Sequence, residues 1–140
     1  MKTNIVWIGS CALEGRKSRM KIYKCEKCGN IVVKLVDKGV PLSCCGQMMK
    51  ELVANTTDAA QEKHVPMVSV EGNVLKVDVG EISHPMTPEH YIQMIMVVQD
   101  EKVQYVTLKD TDKPKAEFII ESGKKYTVYE YCNLHGLWKK

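Results

Sequence analysis

Apolar and polar residues alternate over residues 75–79, where Leu75, Val77 and Val79 interleave with Lys76 and Asp78. That is the period of a half-buried strand. Residues 91–99 form a nearly continuous run rich in Ile, Met and Val, as in a central strand covered on both faces. The methionines of this run are expected in the core rather than on a metal. Further strand-like stretches follow at 103–108, 116–120 and 125–131. Turn signals separate them at Gln99-Asp100-Glu101, at 110–114 and at Ser122-Gly123. Short strands at this spacing predict a β-sandwich. No helical periodicity of useful length and no internal repeat is present.

Upstream, the pattern is broken into shorter pieces at 21–24, 31–36 and 49–53. Residues 20–56 are too few to bury an adequate core, so a metal staple is expected there. The polar stretch 54–61, with Asn55, Thr56, Thr57 and Asp58, reads as a linker into a second domain, taken as 57–140. Residues 1–19 match neither pattern. Their apolar stretch, 5–8, is shorter than the ~7–15 residues of a signal-peptide core. A second methionine, Met20, opens the patterned sequence, so 1–19 reads as a leader or an appended extension in which Cys11 has no inferred role.

Composition narrows the function classes. Hydrophobic residues make up 44% of the 140 and the net charge is +3, which suits a globular protein. Lys2, Arg16, Lys17 and Arg19 against Glu14 account for that whole excess. The body is therefore balanced and offers no basic surface for nucleic acid. No apolar run approaches the ~20 residues of a membrane span.

The cysteines and histidines fall into two groups. Cys25-x-x-Cys28, followed by Gly29, is a chelating knuckle, and Cys44-Cys45, followed by Gly46, is a second pair. Adjacent side chains of an extended chain point to opposite faces. The backbone must therefore bend for both to reach one ion, and their sulfur–metal–sulfur angle should open. A mononuclear Fe(S-Cys)4 centre is the preferred reading. Zinc in a small ribbon, a [2Fe–2S] cluster and a pair of disulfides remain open alternatives.

The four histidines of the chain, His64, His84, His90 and His135, form the other group with Cys132. Pro85 and Pro88 make the segment between His84 and His90 a loop, and Asn133 and Gly136 mark a turn around His135. Five nitrogen and sulfur donors exceed what tetrahedral zinc takes. They suit iron with a sixth position open to substrate. One thiolate and four neutral imidazoles leave ferrous iron with a net positive charge, which favours an anion there.

The motifs C-x-x-C-G-N at 25–30, C-C-G at 44–46, E-K-H-V-P at 62–66, H-P-M-x-x-x-H at 84–90 and C-N-L-H-G-L-W at 132–138 resemble those of desulfoferrodoxin, the two-iron form of superoxide reductase. The resemblance covers residues 20–140. It implies an all-β chain: a desulforedoxin-like FeS4 domain at 20–56, then an immunoglobulin-like β-sandwich carrying an Fe(His)4(Cys) centre. It further implies two irons per chain, a cytoplasmic homodimer, and a rubredoxin-type donor whose electron reduces superoxide to hydrogen peroxide. From the E-K-H motif, Lys63 is expected to attract superoxide and stabilise the developing peroxide. Glu62 is expected to take the sixth position of the oxidised resting site. The rival readings are a two-centre electron carrier without an open site, a zinc ribbon fused to a binding sandwich, and a dismutase using the same iron.

Overall fold

The computed structural model of the chain describes residues 20–56 and 61–140. The leader expected at 1–19, with Cys11, lies outside the described residues. The chain divides into two compact units, the first ending at Leu52 and the second running Val53–Lys140.

The first unit is built from very short strands. Strand β1 (Ile22–Lys24) is central in a three-stranded antiparallel sheet, between β2 (Ile31–Val33) and β5 (Lys50–Glu51). A hairpin of β3 (Ser43–Cys44) and β4 (Gln47–Met48) precedes β5. The stretch expected as strand to residue 36 stops at Val33. Lys34 turns instead to Asp37, at 3.0 Å, and to the Val40 carbonyl, at 2.6 Å, stapling the loop. Ile22 and Cys25 are the buried apolar side chains among the described residues of this unit.

The second unit opens on residues 53–56, which the sequence pattern groups with the first. Asn55 binds them to the last strand, β12 (Gly136–Lys139). Its N–H donates to the Leu137 carbonyl at 3.0 Å, its side-chain amide to the Lys139 carbonyl at 3.2 Å, and its side-chain oxygen accepts the Lys139 N–H at 2.9 Å.

A single helical turn, α1 (Gln61–His64), follows. It closes with the Val65 N–H on the Gln61 carbonyl at 2.9 Å, and Pro66 stops it because the residue before a proline avoids the helical region. Two sheets make up the rest. One is ordered β10 (Lys115–Ile119), β7 (Val74–Val79), β6 (Pro66–Glu71). The other is ordered β12, β11 (Thr127–Cys132), β8 (Ile92–Gln99), β9 (Lys102–Thr107). All pairings are antiparallel.

The sandwich expected from patterning is present. Leu75, Val77 and Val79 of β7 are buried with Ile92, Ile95 and Val97 of β8, joined by Phe118, Ile120, Val128 and Cys132. Met94 and Met96 are buried too, as core residues. Strands β6 and β12 were not anticipated. Most of β6 is exposed, so its pattern is weak, and β12 is four residues long and starts at a glycine.

Candidate metal centres

In the first unit, β1 leads straight into Cys25. The Gly29 N–H returns to the Cys25 carbonyl at 2.9 Å and the Cys28 N–H points at the Cys25 sulfur at 3.5 Å. Opposite stands the β3–β4 hairpin, where Cys45 has φ +52 and Gly46 φ +74. These left-handed residues supply the bend that lets adjacent cysteines face one point.

The four donor sulfurs lie within 4.8 Å of one another. Cys28 and Cys44 are 3.6 Å apart, Cys44 and Cys45 3.9 Å. A tetrahedral ion with bonds to sulfur of ~2.3 Å separates its sulfurs by roughly 3.8 Å, so the group fits one. The Asn30 amide donates to the Cys44 sulfur at 3.6 Å. The Cys28 backbone N–H draws the Cys25 thiol down to about 6, while the neighbouring thiols, Cys28 first, push Cys45 up to about 12. Four sulfurs this close resist becoming four anions together; a cation at their centre removes that conflict.

In the second unit the ligand-bearing segments gather at one end of the sandwich. His64 ends α1. His84 and His90 lie on the loop from β7 to β8. Cys132 and His135 bracket the tight turn between β11 and β12. Neighbouring imidazole centroids are 4.7 Å apart for His64 and His84, 4.6 Å for His84 and His90, 4.8 Å for His90 and His135, and 4.8 Å for His135 and His64. Each of these pairs meets edge to face. His64 and His90 stand 6.3 Å apart and nearly parallel. The four rings therefore form a square, with His64 and His90 on a diagonal.

His64 Nε2 is 3.2 Å from His84 Nε2 and 3.0 Å from His135 Nδ1. Planar coordination with ~2.1 Å bonds to nitrogen places adjacent nitrogens roughly 3.0 Å apart, against roughly 3.4 Å for a tetrahedron. The square wins. The Cys132 sulfur lies within 4.8 Å of the donor atoms of His64, His90 and His135. It stands 3.9 Å from His135 Nδ1, and His84 is not among the donors gathered within 4.8 Å of one another.

The surroundings orient these donors. His84 Nδ1 donates to the Pro85 carbonyl at 2.7 Å, which leaves Nε2 as the free lone pair. Burial drives His84 down to about 4 and lowers His90, to which the Lys63 charge also contributes. Both rings are thus neutral and able to ligate at pH 7. The Nε2 atom of His90 is buried and has no hydrogen-bond partner. A buried nitrogen so placed calls for an ion.

Cys132 is fully buried, whereas His90 and His135 are partly exposed.

Several supporting residues were not singled out in the sequence. The Trp138 indole stacks on His64 at 5.0 Å and donates from Nε1 to the His135 carbonyl at 3.1 Å, so it steadies two ligands. Asn133, read only as a turn marker, accepts the Tyr91 N–H at 2.9 Å and donates to the Glu89 carbonyl at 3.0 Å. It ties the His90 loop to the turn bearing Cys132. Glu130 is fully buried two residues before Cys132, with neither carboxyl oxygen hydrogen-bonded. Burial pushes it up to about 9. A Glu between the apolar positions of a buried strand was the available signal.

Lys63 and Glu62 are exposed on α1. The Lys63 charge is felt at His90. The Glu62 carboxylate is not among the clustered donors.

The comparisons agree with this architecture. The desulfoferrodoxin family model matches residues 56–140, and that of the desulfoferrodoxin N-terminal domain matches 17–52. A desulfoferrodoxin homolog of Archaeoglobus fulgidus is 47% identical over 120 residues, covering 86% of this chain and 95% of that protein. A superoxide reductase of Pyrococcus horikoshii is 36% identical over 110 residues, covering 66% and 95%. The crystal structure of the superoxide reductase from Treponema pallidum superposes with a TM-score of 0.72 at 31% identity, covering 88% of this chain and 99% of that one. With both family models matched in order and both donor groups assembled, the chain belongs to the desulfoferrodoxin family.

Proposed function

We propose that this chain is a superoxide reductase, delivering one electron to superoxide at the imidazole–thiolate site, where two protons taken up from solvent complete hydrogen peroxide. The observation that carries the reading is the square of four imidazoles with one buried thiolate beside it. Five donors so arranged hold an ion and leave one position for a small ligand. A pure electron carrier has no use for that position, so the carrier reading is not favoured.

His64, His84, His90, His135 and Cys132 would hold one iron. The four sulfurs of Cys25, Cys28, Cys44 and Cys45 would hold the second iron. Iron, when bound at the imidazole site, supplies the electron. The chain supplies the rest. Neutral imidazoles keep the site's net charge positive, which favours an anionic substrate. Lys63 adds an exposed positive charge close to His90, which raises the local concentration of superoxide and stabilises the product's negative charge. Glu62, its neighbour on α1, would supply a carboxylate to the position left open in the oxidised resting site.

Electrons come from a rubredoxin-type donor, a reading supported by family membership. The chain acts as a cytoplasmic homodimer on the same ground. The exposed Leu35, Val36 and Val40 of the first unit provide apolar surface for a partner copy, and no helix among the described residues is long and apolar enough to cross a membrane.

Pulse radiolysis of the reduced, iron-loaded protein tests the activity. One equivalent of superoxide per imidazole site should be consumed, with peroxide formed and no dioxygen evolved, and turnover should resume only with added reductant. Sustained dioxygen evolution without a donor would establish dismutation instead.

A further inference from the structure

The turn that leaves β7 carries a glycine with an unusual neighbourhood. Gly80 has φ +83, and a Cβ placed there would stand 2.6 Å from the Ile82 carbonyl oxygen and 2.6 Å from the Lys63 carbonyl carbon, with the Lys63 carbonyl oxygen nearer still. All three are backbone atoms, so no side chain can swing aside. Two residues on, the Ile82 N–H donates to the Glu62 carbonyl at 2.9 Å. The same turn holds the loop beyond it, with the His84 N–H on the Val79 carbonyl at 3.4 Å. Residues 79–84 thus lie against the backbone of α1 on one side and lead into a ligand of the imidazole square on the other.

We propose that Gly80 is a positioning residue for the reaction. Its missing side chain lets α1 seat its backbone directly on the β7 exit turn. That contact sets where the Lys63 ammonium and the Glu62 carboxylate stand relative to the square. The kinetic part of this inference rests on the superoxide reductase reading; the structural part does not.

Gly72 shows why the contact matters more than the turn. It lies in the hairpin between β6 and β7, has φ +64, and a Cβ there would meet nothing within 4 Å. A side chain at Gly72 brings backbone strain alone. At Gly80 it brings the same strain and also forces α1 to retreat by about 1 Å to restore ordinary contact. A misplacement of ~1 Å near a reacting centre can lower a rate ~100-fold.

The test compares Gly80→Ala with Gly72→Ala in the full-length, iron-loaded protein. Hydrogen exchange at the Ile82 amide reads the clamp itself; exchange at Ile95, in the core, serves as the internal reference. The bimolecular rate with superoxide and its dependence on ionic strength read the placement of Lys63. In Gly80→Ala both irons should remain. Exchange at Ile82 should quicken about tenfold relative to Ile95, the rate should fall about tenfold, and its salt dependence should flatten. Gly72→Ala should match the wild type in all three.

Equal exchange and equal rates in the two variants would overturn the proposal. Should Gly80→Ala not fold, Ile82→Pro removes the hydrogen bond to the Glu62 carbonyl, at the cost of fixing φ at 82 and restricting Glu81. It should lower the rate and flatten the salt dependence, and an unchanged rate and salt dependence would overturn the proposal. A wild type that did not reduce superoxide would sink the functional reading while leaving the exchange contrast in force.

Discussion

In the first unit four sulfurs sit on two turns, with Cys28 and Cys45 exposed and little beneath them but Ile22. In the second unit five donors sit on three loops projecting from a sandwich with ten buried residues in its core. Each fully buried Val, Leu or Ile side chain contributes roughly 1.5–3 kcal/mol. By that measure the sandwich can hold its fold with its imidazole square empty. The first unit has almost no such reserve. There the ion is part of the fold, whereas in the sandwich the fold comes first and presents a site to the ion.

The sharpest way to break this contrast is to remove the metal. Structural ions in small cysteine domains contribute on the order of 10 kcal/mol to folding, far beyond what Ile22 can replace. On chelation under reducing conditions, amide resonances of residues 20–52 should collapse to coil positions while those of 66–139 stay dispersed. Collapse of both units, or of neither, would undo the comparison.

Next in size is Cys44→Ser. It should lower iron from two per chain to one and bleach the thiolate colour, with no acid-labile sulfide in either protein. Sites that do not share partners behave additively. Superoxide consumption at the imidazole site should therefore stay within about twofold of wild type. Loss of activity with that iron retained would show the two centres acting together.

Lys63→Ala spares every clustered donor. The bimolecular rate at low salt should fall roughly three- to tenfold, and its ionic-strength dependence should weaken, as screening acts over ~10 Å.

Trp138→Phe probes how far the sandwich, rather than the ion, places the ligands. It keeps an aromatic face for His64 and deletes the bond to the His135 carbonyl. A loss of about 1 kcal/mol in metal-free stability is expected from urea unfolding.

The smallest effect falls far from both sites. Lys102 and Lys124 hold Glu121 down to about 2 through contacts of 2.8 and 2.6 Å. A lowered carboxyl gives stability above its unfolded value, near 4.5, that fades as pH drops toward 2. These side chains are well exposed, so solvent screens most of the gain. Glu121→Gln should be slightly less stable than wild type at pH 7, and the difference should vanish by about pH 2.

The donors of both sites were legible in the sequence because thiolates and imidazoles are scarce and their chemistry is specific. Eight of the nine expected ligands fall into two groups of clustered donors, and His84 stands beside the second with its Nε2 3.2 Å from that of His64. The central strands were legible because two-sided burial leaves an apolar run, as at 92–99. Strand β6 was not, since an exposed edge carries little pattern. Asn55 reads locally as a linker residue, and only its long-range pairing with β12 shows where residues 53–56 are held. Trp138 and Asn133 act through contacts that spacing does not encode. Gly80 is recognisable only when α1 is seen against it.

All five donors of the second site lie at one end of the sandwich, on α1, the β7–β8 loop and the β11–β12 turn. The turns at Gly72, Asp100 and Gly123 lie at the other end, the length of β8 away, roughly 25 Å at ~3.3 Å per residue. The far end is therefore open to topological surgery. A foreign peptide could be spliced in at Asp100 or Gly123 without moving a donor. The desulfoferrodoxin sandwich could in this way carry an added tether or reporter while its reactive end keeps its native wiring.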